Sequence, residues 1–154
     1  MSAVEWRREN RALVQVLARR GAEMPAFPRP GRAAAMGGMT ALRVQPDGWM
    51  VMAAPEVPLL DRLRGLAGSA ALVEQSDGRA VFRVSGDGAR DMLARACRLD
   101  LHPRVFAVGS CASTLIAQVN VLLYQPSDSV FELLVSSTLA QHLEEWLRAA
   151  SVGC

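Results

Sequence analysis

Lysine is absent from this chain, and all 17 basic residues are arginine. The bias follows the base composition of arginine-rich coding DNA and carries no functional reading. Cysteine is scarce, with Cys97, Cys111 and Cys154 alone, in no CxxC spacing and in odd number. That excludes a closed disulfide framework and implies reduced thiols in a cytoplasmic setting. With only His102 and His142 beside them, no zinc-ligand spacing exists. Aromatic residues make up 5% of the chain, and Trp6, Trp49 and Trp146 are too dispersed for a base-stacking platform. No apolar run reaches 18 residues, so no membrane span is expected. The opening Met1-Ser2-Ala3-Val4-Glu5-Trp6-Arg7-Arg8 lacks the apolar segment of a secretory signal, and Glu5, Glu9 and Glu23 contradict an acid-poor mitochondrial presequence.

The net charge of +2 is too small for nucleic acid to be a bulk electrostatic partner. Its distribution is uneven: residues 1–36 hold seven arginines against three glutamates, a local +4 that leaves −2 on the remainder. This basic arm reads as a solvated helix face and linker, with contact to RNA, acidic lipid or an acidic protein as its functional alternatives. Hydrophobic residues form 51% of the chain and charged residues 21%, so part of the apolar surface is expected to meet a partner.

The length of 154 residues suits one domain with an extra arm. Residues 4–20 read as an amphipathic helix, with Trp6, Leu13, Val16 and Leu17 on one side and Arg7, Arg8, Arg11 and Arg19 outside. From Met24 to Gly38 the breakers Pro25, Pro28, Pro30, Gly31, Gly37 and Gly38 predict an extended linker. The arm thus covers residues 1–38, a candidate for wrapping onto another subunit, and the compact domain covers 39–154.

Within that domain Thr40–Val44 and Trp49–Ala53 read as a hairpin turned by Gln45-Pro46-Asp47-Gly48. A helical stripe of Leu59, Leu60, Leu63, Leu66 and Ala67 follows. Ala70–Gln75 and Arg79–Ser85 then read as a second hairpin across Ser76-Asp77-Gly78. The central unit is the turn Gly86-Asp87-Gly88 opening a helix whose apolar face carries Ala89, Met92, Leu93, Ala96 and Cys97, with Arg90, Asp91, Arg95 and Arg98 opposite. Thr114–Tyr124 reads as one buried strand, turned by Gln125-Pro126-Ser127-Asp128 into Val130–Ser136. The last helix begins at Thr138 with a Thr-x-x-Gln capping box and buries Leu139, Leu143, Trp146, Leu147 and Ala150. The expected class is α+β: antiparallel or mixed sheets with helices on one face, as two split βαβ (ferredoxin-like) units.

No catalytic constellation assembles from these residues. Gly86-Asp87-Gly88 lacks the third glycine of a dinucleotide loop, since position 91 is Asp, whose carboxylate would repel a pyrophosphate. It reads as a turn and helix cap. The Asp100 to His102 spacing at a helix exit suits local capping better than a general base. His142 reads as a surface residue beside Glu144 and Glu145. Cys97 reads as a small apolar residue, and Cys111, the one thiol in a loop able to expose a nucleophile, has no evident base and reads as tight packing. The expected catalytic, cofactor-binding and metal residues are therefore none.

The run Val84-Ser85-Gly86-Asp87-Gly88-Ala89-Arg90-Asp91-Met92-Leu93, then Leu99-Asp100-Leu101-His102-Pro103, Phe106, Gly109, Cys111-Ala112, Thr114 and Ala117, resembles the gamma subunit of heterotetrameric sarcosine oxidase. Phe131-Glu132-Leu133-Leu134-Val135 and the helix ending Trp146-Leu147 extend the likeness, which runs from about Asp47 to Ala150. Two places depart from the family's pattern. Glu74-Gln75-Ser76 has Glu where Asp is usual, and Ser136-Ser137-Thr138 lacks a usual Arg and aromatic.

The resemblance implies an aminomethyltransferase-like fold and a subunit that carries no cofactor. It puts the flavins FAD and FMN in the beta subunit, NAD and the folate site in the alpha subunit, and zinc in the delta subunit. It further implies an assembly that oxidises the N-methyl group of sarcosine, giving glycine, formaldehyde or methylene-tetrahydrofolate, and hydrogen peroxide. The expected partners are the alpha, beta and delta subunits, with no nucleic acid and no membrane. The alternatives are the equivalent subunit of a related N-methyl amino acid oxidase or dehydrogenase, a free-standing folate-binding module, and an RNA-binding adaptor using the basic arm.

Overall fold

Residues expected as one N-terminal helix form two strands, β1 (Glu5–Glu9) and β2 (Ala12–Ala18). Arginine, glutamate and leucine favour helix by only tenths of a kcal/mol per residue, and tertiary pairing overrides so weak a bias. The pairing is extensive: β2 lies between two strands from later in the chain, with Val14 opposite Val51 on one side and Val16 opposite Leu72 on the other. The computed structural model describes residues 3–24 and 27–152. Met1 and Ser2 of the expected arm, Pro25 of the expected linker and Cys154 lie outside the described residues.

The linker expectation is corrected as well. Ala33–Met36 forms β3, which pairs with β4 (Met39–Gln45) across Gly37 and Gly38. Both glycines have positive φ, 57° and 84°, the backbone that a tight two-residue hairpin loop requires. These glycines turn the chain within a sheet. Among the described residues, β1, β2 and β3 leave no N-terminal helix standing apart from the domain.

The remaining elements are β5 (Gly48–Ala53), α1 (Leu59–Leu63) with a 3-10 turn at Arg64–Leu66, β6 (Ala70–Glu74), β7 (Arg79–Ser85) and α2 (Ala89–Ala94). After them come β8 (Cys111–Ile116), β9 (Val119–Ser127), β10 (Val130–Ser136) and α3 (Ala140–Val152). They build two five-stranded sheets of order β1-β7-β10-β9-β8 and β3-β4-β5-β2-β6, with every recorded strand pair antiparallel. The contacts divide the chain into two units. One is Asn10–Gly78, and the other holds the residues on either side of it. The class is the α+β expected.

In the Asn10–Gly78 unit, β5 and β6 flank β2 and both run against it, so β5-α1-β6 is a split βαβ. The expected hairpin over 45–48 forms. Val14, Val16, Trp49, Val51, Ala70 and the α1 residues Leu59 and Leu63 share one core. The Asp-Gly turn at 77–78 is no hairpin: β6 before it belongs to one sheet and β7 after it to the other. Ser76 organises this exit, since its hydroxyl accepts the Leu13 amide at 3.0 Å and donates to a Glu74 carboxylate oxygen.

In the other unit, alternation directs Phe82, Val84, Phe131, Leu133, Val121 and Leu123 into a core shared with Met92 and Leu93 of α2 and Leu143 and Leu147 of α3. Here β7 and β8 run in opposite directions around α2, as three antiparallel pairings in succession dictate. The predicted single strand 114–124 is two, folded at Ala117 and Gln118, which carry φ of 52° and 67°. No glycine or asparagine marks this turn. The central helix is shorter than expected, ending at Ala94. Cys97 lies beyond it in an isolated bridge to Ile116, not on a buried helical face.

The Thr138 capping box does not form. Thr138 shares a hydroxyl contact with Ser136, and the Gln141 amide donates to Glu145. Residues 137–139 wind as a 3-10 turn, which leaves Leu139 39% exposed rather than in the buried stripe.

Two measurements test these local features. Gln118→Gly relieves a left-handed side chain at the cost of unfolded-chain entropy, and is expected to raise stability by roughly 0.5–1 kcal/mol in urea denaturation. Ser76→Ala is expected to lower it by about 1 kcal/mol at neutral pH through the lost hydrogen bonds. The Ser76 hydroxyl, then the Ser76 and Gln75 amides against a small burial penalty, hold the Glu74 carboxyl below its ordinary 4.5. A depressed carboxylate stabilises above its unfolded pKa and loses that contribution as pH falls through the folded one. The gap between Ser76→Ala and the unaltered protein should therefore narrow on acidification below about pH 4, without closing, because the Leu13 bond is independent of pH.

Candidate functional site

The residues best equipped for chemistry are engaged in local structure. Asp100 Oδ1 accepts the His102 amide at 2.9 Å, and His102 Nδ1 accepts the Arg104 amide at 3.1 Å, so the pair caps the turn after residue 99. His142 is exposed, with Nε2 3.4 Å from the Ala117 carbonyl. Cys97 Sγ lies 3.7 Å from Thr114 Oγ1. Cys111 is 2% exposed at the start of β8, packed as the sequence suggested. Among the described residues, no three His, Cys, Asp or Glu side chains come together as metal ligands.

The Gly86-Asp87-Gly88 loop spends its amides on the protein itself. Gly86 donates to the Ser129 carbonyl at 3.0 Å and Gly88 to the Ala3 carbonyl at 3.2 Å. Gly86 has φ 115°, and a Cβ there would collide with the Ala3 carbonyl, so glycine is required by the close approach of the N-terminal segment. The α2 helix spans only Ala89–Ala94, and the loop serves as the turn the sequence suggested.

Sequence reasoning missed Arg90, which a helical wheel assigns to the solvent face. Its guanidinium lies 5.2 Å from the centre of the Phe131 ring and donates from Nη1 to the Leu101 and Phe106 carbonyls. The loop 101–106 is thereby fixed from the helix, with Leu101 and Phe106 buried and Val105 62% exposed. An ion pair joins β7 to β10: Arg83 Nη1 meets the buried Glu132 at 3.1 Å. Arg83 pairs with Arg7 on one side, and Glu132 pairs with Tyr124, itself opposite Cys111, so one row of registered residues crosses all five strands, polar from β1 to β9 and ending on a buried thiol.

A cleft of about 230 Å³ opens where β2 ends beside the β4–β5 loop, lined among others by Arg19, Arg20, Met24, Arg43, Asp47 and Trp49. Arg43 lies over the Trp49 ring at 4.8 Å and donates to the Pro28 carbonyl at 3.3 Å and to the Pro46 carbonyl. Arg19 donates twice to the Ala67 carbonyl, at 3.3 and 3.2 Å. The excess of arginine over residues 1–36 was legible in the sequence, but not this cleft, because Arg19 was expected on a solvated helix face and Arg43 reaches it only through the pairing of β4 with β5.

The profile of the sarcosine oxidase gamma subunit family matches residues 18–153. The sarcosine oxidase gamma subunit of Corynebacterium sp. strain U-96 is 30% identical over 114 residues, 73% of this chain and 56% of that protein. That of Corynebacterium sp. strain P-1 is 28% identical over 117 residues, 75% of this chain and 58% of that protein. The chain thus spans little more than half the length of these curated relatives.

Among solved structures, heterotetrameric sarcosine oxidase from Corynebacterium sp. U-96, in complex with pyrrole 2-carboxylate, has a chain that matches with TM-score 0.88 and 26% identity. The match covers 97% of this chain and 84% of that one. Glycine cleavage system aminomethyltransferase T from Bartonella henselae matches with TM-score 0.73 and 14% identity, over 95% of this chain and 45% of that one, a likeness of fold. By its sequence over most of its length and by its fold, the chain belongs to the sarcosine oxidase gamma subunit family.

Proposed function

We propose that this chain is the non-catalytic gamma subunit of a heterotetrameric sarcosine-oxidase-type complex, supporting flavin-bearing subunits that oxidise the N-methyl group of sarcosine. The observation that carries the reading is the fold match to a chain of heterotetrameric sarcosine oxidase over 97% of the residues. The local engagement of Asp100, His102 and Cys111 is consistent with it. On this reading the partners are alpha, beta and delta subunits in the cytoplasm, which hold FAD, FMN, NAD, folate and zinc. No residue of this chain is assigned to any of these groups. The substrate of the assembly is sarcosine or another N-methyl amino acid, and the Ser136-Ser137-Thr138 departure lies at the turn into α3.

A second reading, a folate-binding module acting alone, draws on the aminomethyltransferase fold. Its weakness is length, since the chain covers 45% of that enzyme.

Coexpression separates these readings. With its flavin-bearing partners the chain is expected to co-purify in a fixed ratio as a yellow complex that oxidises sarcosine. Assays with N-methylglutamate and dimethylglycine identify the preferred substrate. Alone, it should be colourless, inactive, and silent in calorimetric titration with tetrahydrofolate. Amine oxidation by the isolated chain, or failure to co-purify, rejects the subunit role, and a saturable tetrahydrofolate heat supports the module.

A further inference from the structure

We propose that the loop over residues 102–108, between α2 and β8, docks into an apolar recess rimmed by carboxylates on a larger subunit of the assembly. This docking rests on the subunit role proposed above. Val105 and Val108 stand 62% and 46% exposed, while Phe106 between them is buried. Pro103 and Ala107 are exposed as well, so four of the seven loop residues offer apolar surface to solvent. The other large apolar side chains exposed among the described residues, Val73, Leu139 and Val152, lie singly, on β6 and at the two ends of α3.

The two valines cannot fold away. The Arg90 guanidinium donates to the Leu101 and Phe106 carbonyls, and the Val105 and Phe106 amides both donate to the His102 carbonyl at 2.8 Å. The Gly109 and Ser110 amides donate to the Gln125 and Ala107 carbonyls at 2.8 and 3.0 Å. With Leu101 and Phe106 already buried beneath the loop, Val105 and Val108 are held toward solvent on a fixed frame. A surface shaped before contact loses little entropy when a partner covers it, and the apolar area it gives up to the partner leaves water.

Charge selects the partner. Residues 90–108 hold four arginines and two aspartates, a local +2. Arg90 spends its donors on neutral carbonyls beside the Phe131 ring, which leaves its charge uncancelled. Arg98 and Arg104 are exposed and form no ion pair among the described residues. Apolar knobs on a cationic loop are complementary to an apolar recess edged by Asp or Glu side chains, and they disfavour a basic surface.

Competition reads the docking on the assembled protein. The unaltered chain and a variant are coexpressed with the flavin-bearing partners, and their ratio in the yellow complex, relative to that in the lysate, is measured by mass spectrometry. Val105→Asp sets a carboxylate against the acid-rimmed recess and should be under-represented at least about tenfold, and Arg104→Glu about threefold. Val152→Asp, at the 82% exposed end of α3, should compete equally. Because these side chains are exposed, the isolated variants should unfold thermally within about 2 °C of the unaltered chain, which separates a docking loss from a folding loss. Equal incorporation of Val105→Asp or of Arg104→Glu, or an equal deficit in Val152→Asp, overturns the docking loop and leaves the subunit role standing. No yellow complex with the unaltered chain rejects that role and the loop with it. Binding of the isolated chain to phosphatidylglycerol vesicles that Val105→Asp abolishes assigns the loop to a lipid surface and likewise overturns the proposal.

Discussion

Everything in this architecture depends on hydrogen-bond satisfaction of β2. A strand in the interior of a sheet must find partners on both sides, because buried amides and carbonyls left unpaired cost free energy on the scale of a lost hydrogen bond each. The partners of β2 are β5 and β6, which follow it by some thirty to sixty residues. The second sheet therefore cannot close until the chain has returned twice to this early segment. Once closed, it brings Val14, Val16, Trp49 and Val51 together with Leu59 and Leu63 of α1 in one core, and leaves the turn after Ala18 at the sheet's end beside Arg43.

Much of the fold was legible where order was local. The Pro-Asp loop between β4 and β5, the alternation of β7, the β-branched run of β8 and β9, and the apolar stripe of α3 all carry signals within a dozen residues. What escaped depended on distant pairing or on rule-breaking turns. Residues 4–20 have helical composition and become strands because the sheet supplies partners the segment cannot announce. Ala117 and Gln118 adopt the glycine-type hairpin conformation without a glycine, so no residue type marked the fold. The capping box was written in the sequence, yet the 3-10 entry at 137–139 turned Thr138 toward Ser136. For the candidate site, the capping role of Asp100 and the packing of Cys111 could be read from spacing. Arg90 could not, because a helical wheel places a Cα while a long side chain bends back to reach carbonyls elsewhere.

The polar groups of this domain show a consistent allocation. Arg90 fixes a loop, Arg83 and Glu132 join two strands, Ser76 ties β6 to β2, and His102 caps a turn. Contacts of this kind hold loops and strands in place before any association, and preorganised contacts lose less entropy on association.

Sheet order also leaves outer strands whose free edges differ. On β1, Glu5, Arg7, Arg8 and Glu9 put charge at almost every position, a composition that discourages an incoming strand from another molecule. On β6, Ala70-Ala71-Leu72-Val73 carry none until Glu74 closes the strand. The other two outer strands, β3 (Ala33–Met36) and β8 (Cys111–Ile116), carry no charge at all, so of the four sheet edges only β1 is armed against strand donation from another molecule.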